Sequence, residues 1–294
     1  MMKNKIKNIR YLLEYFLVYL IYLFLSFLPI NVVSYIGGLI FRIIGPLTKT
    51  NTIAKKNYLR IFPLAKPYEV KKDLIKSWDN VGKTFFELLI LPKITSPKKN
   101  KIEIVGENIL MNLKEKNKKL IFFGIHQSNW EIIVPTIDRI GFNIGAIYRH
   151  INNPYIDKLI LDRRNKSISS IKSFYTPKGR KSAKDIIAGI KDNSSMLVII
   201  DQKDSAGENI PFFGINVKTQ TGFLKIAKKN KMKIIPVENT RIGTNNFKLK
   251  FHPPLDIGED NLSSNQFMEK IHNIIESWIK KNPSNWFMQH NRFN

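Results

Sequence analysis

The sequence predicts an α/β protein with a largely parallel central sheet flanked by helices, preceded by a hydrophobic N-terminal anchor helix. Three observations carry that expectation. Beyond Ile102, short β-branched runs alternate with longer amphipathic ones, the order that builds a parallel sheet with crossover helices. Between about Lys49 and Pro92, apolar residues such as Leu74, Ile75, Trp78, Val81, Phe85 and Leu88 recur at helical spacings. From Tyr15 to Phe41 there is no charged residue at all.

That uncharged run is long enough to cross a bilayer core, which takes about 20 apolar residues. Pro29 and the Gly37-Gly38 pair interrupt it, so it reads as a helix, a break and a second helix in or near a membrane surface. It exceeds the apolar core of a cleavable signal peptide, and no small-x-small site closes it. Lys3, Lys5, Lys7 and Arg10 precede the run, while Arg42, Lys49, Lys55, Lys56 and Arg60 follow it. Basic flanks on both sides suit a re-entrant or surface-lying anchor at least as well as a single crossing. A buried hairpin of a soluble protein is the competing reading. Two units result, residues 1–47 as a membrane anchor and residues 48–294 as the α/β domain.

Within the second unit the texture predicts strands near Ile102–Val105, Leu120–Gly124, Asn143–Tyr148, Met196–Ile200, Lys233–Val237 and Phe247–Phe251. Helices are expected near Asn129–Ile140, Pro154–Arg164, Ala183–Ile190, Gly222–Lys229 and Asn265–Lys281. The apolar stretch PFFGI (Pro211–Ile215) reads as a loop that either lines an acyl tunnel or closes the core.

Composition narrows the function. The absence of cysteine excludes disulfides, thiolate catalysis and cysteine-containing zinc sites. Forty-eight basic against 23 acidic side chains give a formal charge of +25, which suits an anionic partner. The lysines spread along the chain without a recognisable nucleic-acid module, and part of the excess follows a general richness in Lys, Asn and Ile. Nucleophile-elbow, dinucleotide-loop and phosphate-loop patterns are all absent.

In a parallel sheet the reactive groups belong at the carboxyl ends of strands. His126 stands there, after IFFGI, with Gln127-Ser128-Asn129 able to cap a helix beginning near Trp130. Glu131 falls in the first turn, where a carboxylate is favoured and can fold back to fix the imidazole tautomer, leaving the other ring nitrogen free to take a proton. The bland alternative is a capping glutamate beside an incidental histidine. A metal reading fails on spacing, because a helical zinc pair needs i, i+4 histidines. Arg149 ends the next strand. Arg163 and Arg164 lie on the helix after it, with one of the two expected to be merely solvated. Asp201 and Gln202 end a strong buried strand.

The set HQSNWE, YRHINNPYIDKLI with a following Arg163, IIDQKD, IPFFG, KMKIIPV and PSNWFMQHNRF resembles the lipid A biosynthesis (late) acyltransferases in order and approximate spacing. The H-x4-E of His126 and Glu131 is similar to the H-x4-D/E box of glycerolipid acyltransferases, and IAKKNYLRIFP is similar to the family's A-x-x-N-L-x-x-x-F-P segment. The terminal segment departs from the pattern at Met288 and Asn291. The resemblance implies transfer of a fatty acyl group from acyl carrier protein to a hydroxyl of a phosphorylated glycolipid, a lipid A precursor, at the cytoplasmic face of a bacterial inner membrane. It implies His126 as general base and Glu131 as its orienting partner, with Asn129, Arg149, Arg163 and Asp201 around the substrates and no cofactor, metal or nucleic acid. Another phospholipid or a glycolipid mannoside as acceptor, with acyl-CoA or acyl carrier protein as donor, stays open. So does a membrane-anchored basic scaffold.

Overall fold

The computed structural model describes residues 2–116, 118–258 and 262–293. Helix α1 (Met2–Phe27) stops at Leu28-Pro29, where proline has no N–H to continue the ladder, and the Pro29 carbonyl instead accepts the first bonds of α2 (Ile30–Ile44). The break falls at Pro29 alone, and the interruption that the Gly37-Gly38 pair suggested does not occur. Helix α2 runs through both glycines because they serve a close helix crossing rather than a turn. A Cβ on Gly37 would lie 2.5 Å from the Gly82 carbonyl oxygen, and one on Gly82 would lie 2.1 Å from that of Gly37. Gly82 belongs to α4 (Pro67–Leu89), which follows α3 (Lys49–Ile61) and precedes the short α5 (Leu91–Thr95).

The two N-terminal helices are each long and apolar enough to cross a membrane. They are also docked on the rest of the chain. One face of α1 presents Tyr15, Val18, Tyr19, Tyr22 and Leu25 to an apolar layer of the body. Its opposite face leaves Leu13, Phe16, Leu17, Phe24 and Phe27 exposed, and α2 leaves Ile43, Ile44 and then Leu47 exposed.

The body continues with β1 (Ile102–Val105), α6 (Glu107–Glu115), β2 (Leu120–Gly124), a 3-10 turn (Trp130–Ile132) running into α7 (Ile133–Ile140), β3 (Ile144–Tyr148), α8 (Pro154–Asn165), β4 (Phe174–Pro177), α9 (Arg180–Lys191) and β5 (Ser195–Ile199). A hairpin of β6 (Glu208–Phe212) and β7 (Ile215–Thr219) follows, then α10 (Gly222–Asn230), β8 (Lys233–Ile242), β9 (Asn246–Phe251), α11 (Ser264–Lys281) and a 3-10 turn (Pro283–Asn285). PFFGI is therefore not a loop but the turn of a hairpin, with Phe213 and Gly214 at positive φ as its two turn residues.

The seven-stranded sheet has the order β1-β9-β8-β2-β5-β3-β4 and is parallel except for the β8–β9 pair. Both faces are covered, so β2 is buried throughout and alternates between two apolar layers. Ile121 and Phe123 join Phe223, Ile271, Ile275 and Trp278 on one side. Leu120 and Phe122 join Ile133, Ile137 and Phe142 on the other. Strands β2 and β5 are neighbours, with Gly124 opposite Ile199.

Candidate functional site

The β2–β5 register sets the geometry. His126 lies two residues beyond Gly124 and Asp201 two residues beyond Ile199, so the two side chains emerge level at the carboxyl edge of the sheet. Nδ1 of His126 is 2.8 Å from Oδ1 of Asp201, and the His126 backbone N–H donates to the same oxygen at 3.0 Å. Oδ2 accepts from the Trp286 indole N–H at 2.8 Å. Burial alone would raise the Asp201 carboxyl, but His126, His290 and the indole donor outweigh it and hold the acid well below the carboxylate range. An ionised carboxylate can only accept, so the shared proton sits on Nδ1 and the Nε2 lone pair is left open. Among the described residues Nε2 has no hydrogen-bond partner. The ring stands between Trp130, edge-on at 5.0 Å, and Phe287 at 6.3 Å, with its side chain 19% exposed.

The expected hydrogen bond from Glu131 to His126 is not formed. Glu131 is held by Arg164 of α8 in a bidentate pair at 2.8 and 2.7 Å, and Asp201 occupies the imidazole nitrogen that Glu131 was expected to take. The Arg164 guanidinium lies over the Tyr148 and Tyr175 rings. Burial pushes the Glu131 carboxyl up, yet the guanidinium prevails and keeps it below its ordinary range.

The loop carrying these groups is tightly held. Ser128 has φ +53, a costly conformation for a non-glycine residue, and hydrogen bonds fix it on every side. Its N–H donates to the Asn285 carbonyl, its carbonyl accepts from Thr84, and its hydroxyl meets the Asn239 carbonyl and the Arg241 N–H. Asn129 was expected among substrate groups. Its amide is instead fully buried, accepting from the Glu131 N–H at 3.1 Å as a helix cap and donating to Glu87 at 2.8 Å. Glu87 is the hub of this support. Its carboxylate also accepts from Ser34 of α2 at 2.7 Å and from both terminal nitrogens of Arg241 at 2.6 and 2.9 Å.

Arg149, at the end of β3, is exposed and makes no ion pair among the described residues, so it is open to a ligand. Arg163 is not. It donates to the Tyr22 hydroxyl at 2.6 Å, lies over that ring and pairs with Asp162, tying α8 to α1. Arg292 is also buried, donating to the Lys218 carbonyl and the Thr219 hydroxyl and so fastening the terminal segment to β7. No three His, Asp or Glu side chains converge as metal ligands among the described residues.

A model of the bacterial lipid A biosynthesis acyltransferases matches residues 2–294, nearly the whole chain. The chain belongs to that family. Among solved structures it is similar to the 1-acyl-sn-glycerophosphate (LPA) acyltransferase PlsC from Thermotoga maritima, at 16% identity and a TM-score of 0.38, over 79% of this chain and 96% of that one. The comparison with curated proteins gave no match. In this acyltransferase, sequence reasoning found both His126 and Asp201 but missed their contact, and it missed Glu87, Arg241 and Trp286 as parts of the site. The WEIIV run gave no sign that its glutamate answers to an arginine 33 residues away. The PSNWF segment was recognisable only through the family pattern.

Proposed function

We propose that this acyltransferase moves a fatty acyl group from the thioester of acyl carrier protein to a hydroxyl of a lipid A precursor. The observation that carries the reading is the strand-end imidazole, held at Nδ1 by a buried carboxylate and open at Nε2. In the reaction Nε2 takes the proton of the acceptor hydroxyl as that oxygen bonds to the thioester carbonyl. The tetrahedral intermediate then collapses, the carbon–sulfur bond breaks, and the imidazolium returns the proton to the leaving thiolate. Asp201 keeps the ring in the required tautomer and balances its transient charge. No covalent enzyme intermediate forms. The Glu131–Arg164 pair holds the turn that follows His126, and Arg149 is assigned to an anionic group of the donor or acceptor. The anchor is residues 1–47, with the exposed aliphatic and phenyl groups of α1 and α2 in the cytoplasmic leaflet of the inner membrane.

The test is acyl transfer from acyl carrier protein to the purified disaccharide acceptor. His126→Ala is expected to cost about 10²–10⁴ in turnover while leaving the fold intact by circular dichroism. Near-parental transfer by that variant sinks the mechanism. Mass spectrometry of lipid A from cells with and without the protein then identifies the acyl chain by the mass that disappears.

A further inference from the structure

We infer that Trp286 is a positioning residue of this site: its indole N–H, bound to the Asp201 oxygen that His126 leaves open, sets the carboxylate plane and through it the imidazole. The inference rests on the His126–Asp201 reading proposed above. Asp201 is completely buried, and its Oδ1 takes both donors that His126 offers. The terminal torsion of an aspartate is broad, so one held oxygen does not fix the plane. Among the described residues Oδ2 accepts from one donor, the indole at 2.8 Å.

Trp286 reaches that position through contacts that do not involve Asp201. Its backbone forms an isolated bridge with Gln127. The neighbouring Ser128 N–H donates to the Asn285 carbonyl, and the Phe287 N–H donates to the His126 carbonyl at 2.7 Å. The ring itself packs edge-on against Phe212 and His290. The terminal segment is thus strapped across the histidine loop, with the indole N–H aimed at the carboxylate. Packing alone would be served by a ring without a donor.

Among the described residues, the other charged and titratable groups that act on this triad include Glu131, paired with Arg164, toward His126, and His290 and Arg292 toward Asp201. Each keeps its own partners when the indole N–H is removed: Glu131 pairs with Arg164, His290 faces the Phe287 and Asp201 carbonyls, and Arg292 holds Lys218 and Thr219.

The experiment compares the full-length chain with Trp286→Phe, Asp201→Asn and the double variant in the acyl transfer assay. A lost hydrogen bond to a buried carboxylate predicts a fall in kcat of about 10- to 100-fold for Trp286→Phe, with KM little changed. The acid limb of the rate profile moves to higher pH, because a carboxylate stripped of its second donor binds the protonated ring more tightly. If the indole acts through Asp201, the double variant is no slower than Asp201→Asn alone, whereas an independent packing role makes the losses multiply. A second variant with benzothienylalanine at position 286 keeps the bicyclic shape and replaces N–H by sulfur, and it is expected to show the same kcat loss, with only the small fall in melting temperature that one lost hydrogen bond to a buried carboxylate brings. Parental kcat for that isostere, or multiplying losses in the double variant, overturns the inference. Full activity of Asp201→Asn instead sinks the His126–Asp201 reading beneath it.

Discussion

Asp201 and Glu131 both flank the histidine loop, but they answer to different partners, the His126 imidazole and the Arg164 guanidinium. Asp201→Asn removes the charge and leaves one acceptor oxygen for the three donors of His126 and Trp286, so the ring loses its fixed tautomer and the expected effect is a loss of about 10²–10⁴ in turnover. Glu131→Gln leaves the Arg164 guanidinium buried without its counter-charge. That is expected to cost about 3–5 kcal/mol of stability, visible as a lowered urea midpoint before any rate is measured. Parental stability in Glu131→Gln would mean the pair is not the support described here. His272 gives a separate pH prediction. Burial pushes it down to about 4 from 6.5, with the nearby Arg292 acting the same way against a bond to the Pro211 carbonyl. The unfolded chain therefore binds more protons in that window, so the contribution is full above pH 6.5 and is lost as pH falls toward 4, by about 3 kcal/mol. His290, also lowered by burial, adds slope of the same sign. Denaturation midpoints of parent and His272→Gln between pH 7 and 4.5 isolate the first part, and equal slopes would refute it. At this scale the sequence disclosed each strand-end residue but not the pairing. Glu131 was near in sequence, while Asp201 was near only once β5 lay beside β2.

Among the elements, the hairpin of α1 and α2 is tied to the candidate site. Helix α2 reaches the site through Ser34, Glu87 and Asn129, and α1 reaches it through Tyr22 and Arg163, the neighbour of Arg164. The Gly37–Gly82 crossing allows the first of these links. Gly82→Ala puts a methyl where 2.1 Å separates it from the Gly37 carbonyl oxygen. The helices must part, at a cost of about 1–3 kcal/mol. A lowered melting temperature together with reduced transfer is expected, and an unchanged melting temperature would show that the crossing is loose. Removing residues 1–47 cuts both links and strips the Ser34 donor from a buried carboxylate, so the shortened chain is expected to be less stable than the parent. Six strands stood where β-branched runs predicted them. The four-residue β4 holds β-favouring residues but is closed by Pro177, and the β6–β7 hairpin has Pro211 inside a strand, so neither gave a run long and unbroken enough to read as strand. Gly37-Gly38 misled because a glycine pair that permits close packing has the same sequence signature as one that ends a helix.

For the whole molecule, an α/β body was legible from alternating runs, but strand order was not, since nothing local puts β8 and β9, the last two strands in the sequence, between β1 and β2. The outer surface is more readable. The chain carries a formal charge of +25, and its exposed aliphatic and phenyl side chains gather on the first two helices. That division predicts two separable contributions to membrane binding. Basic side chains attract anionic headgroups and are screened by salt, whereas inserted apolar side chains are not. Phe16 and Phe24 are each 61% exposed, so changing both to Asp leaves the folded interior untouched. At about 1.5–3 kcal/mol per phenyl group, the double variant should bind phosphatidylglycerol vesicles at least about a hundredfold more weakly in high salt, with its melting temperature unchanged. Flotation of parent and variant with vesicles in 0.1 M and 1 M salt reads both contributions, in which ranges the Debye length falls from about 10 to about 3 Å. Persistence of the variant on vesicles at high salt would place the anchor elsewhere. Release of the parent by salt alone would mean that charge holds the protein to the bilayer, with the phenyl groups outside the hydrocarbon.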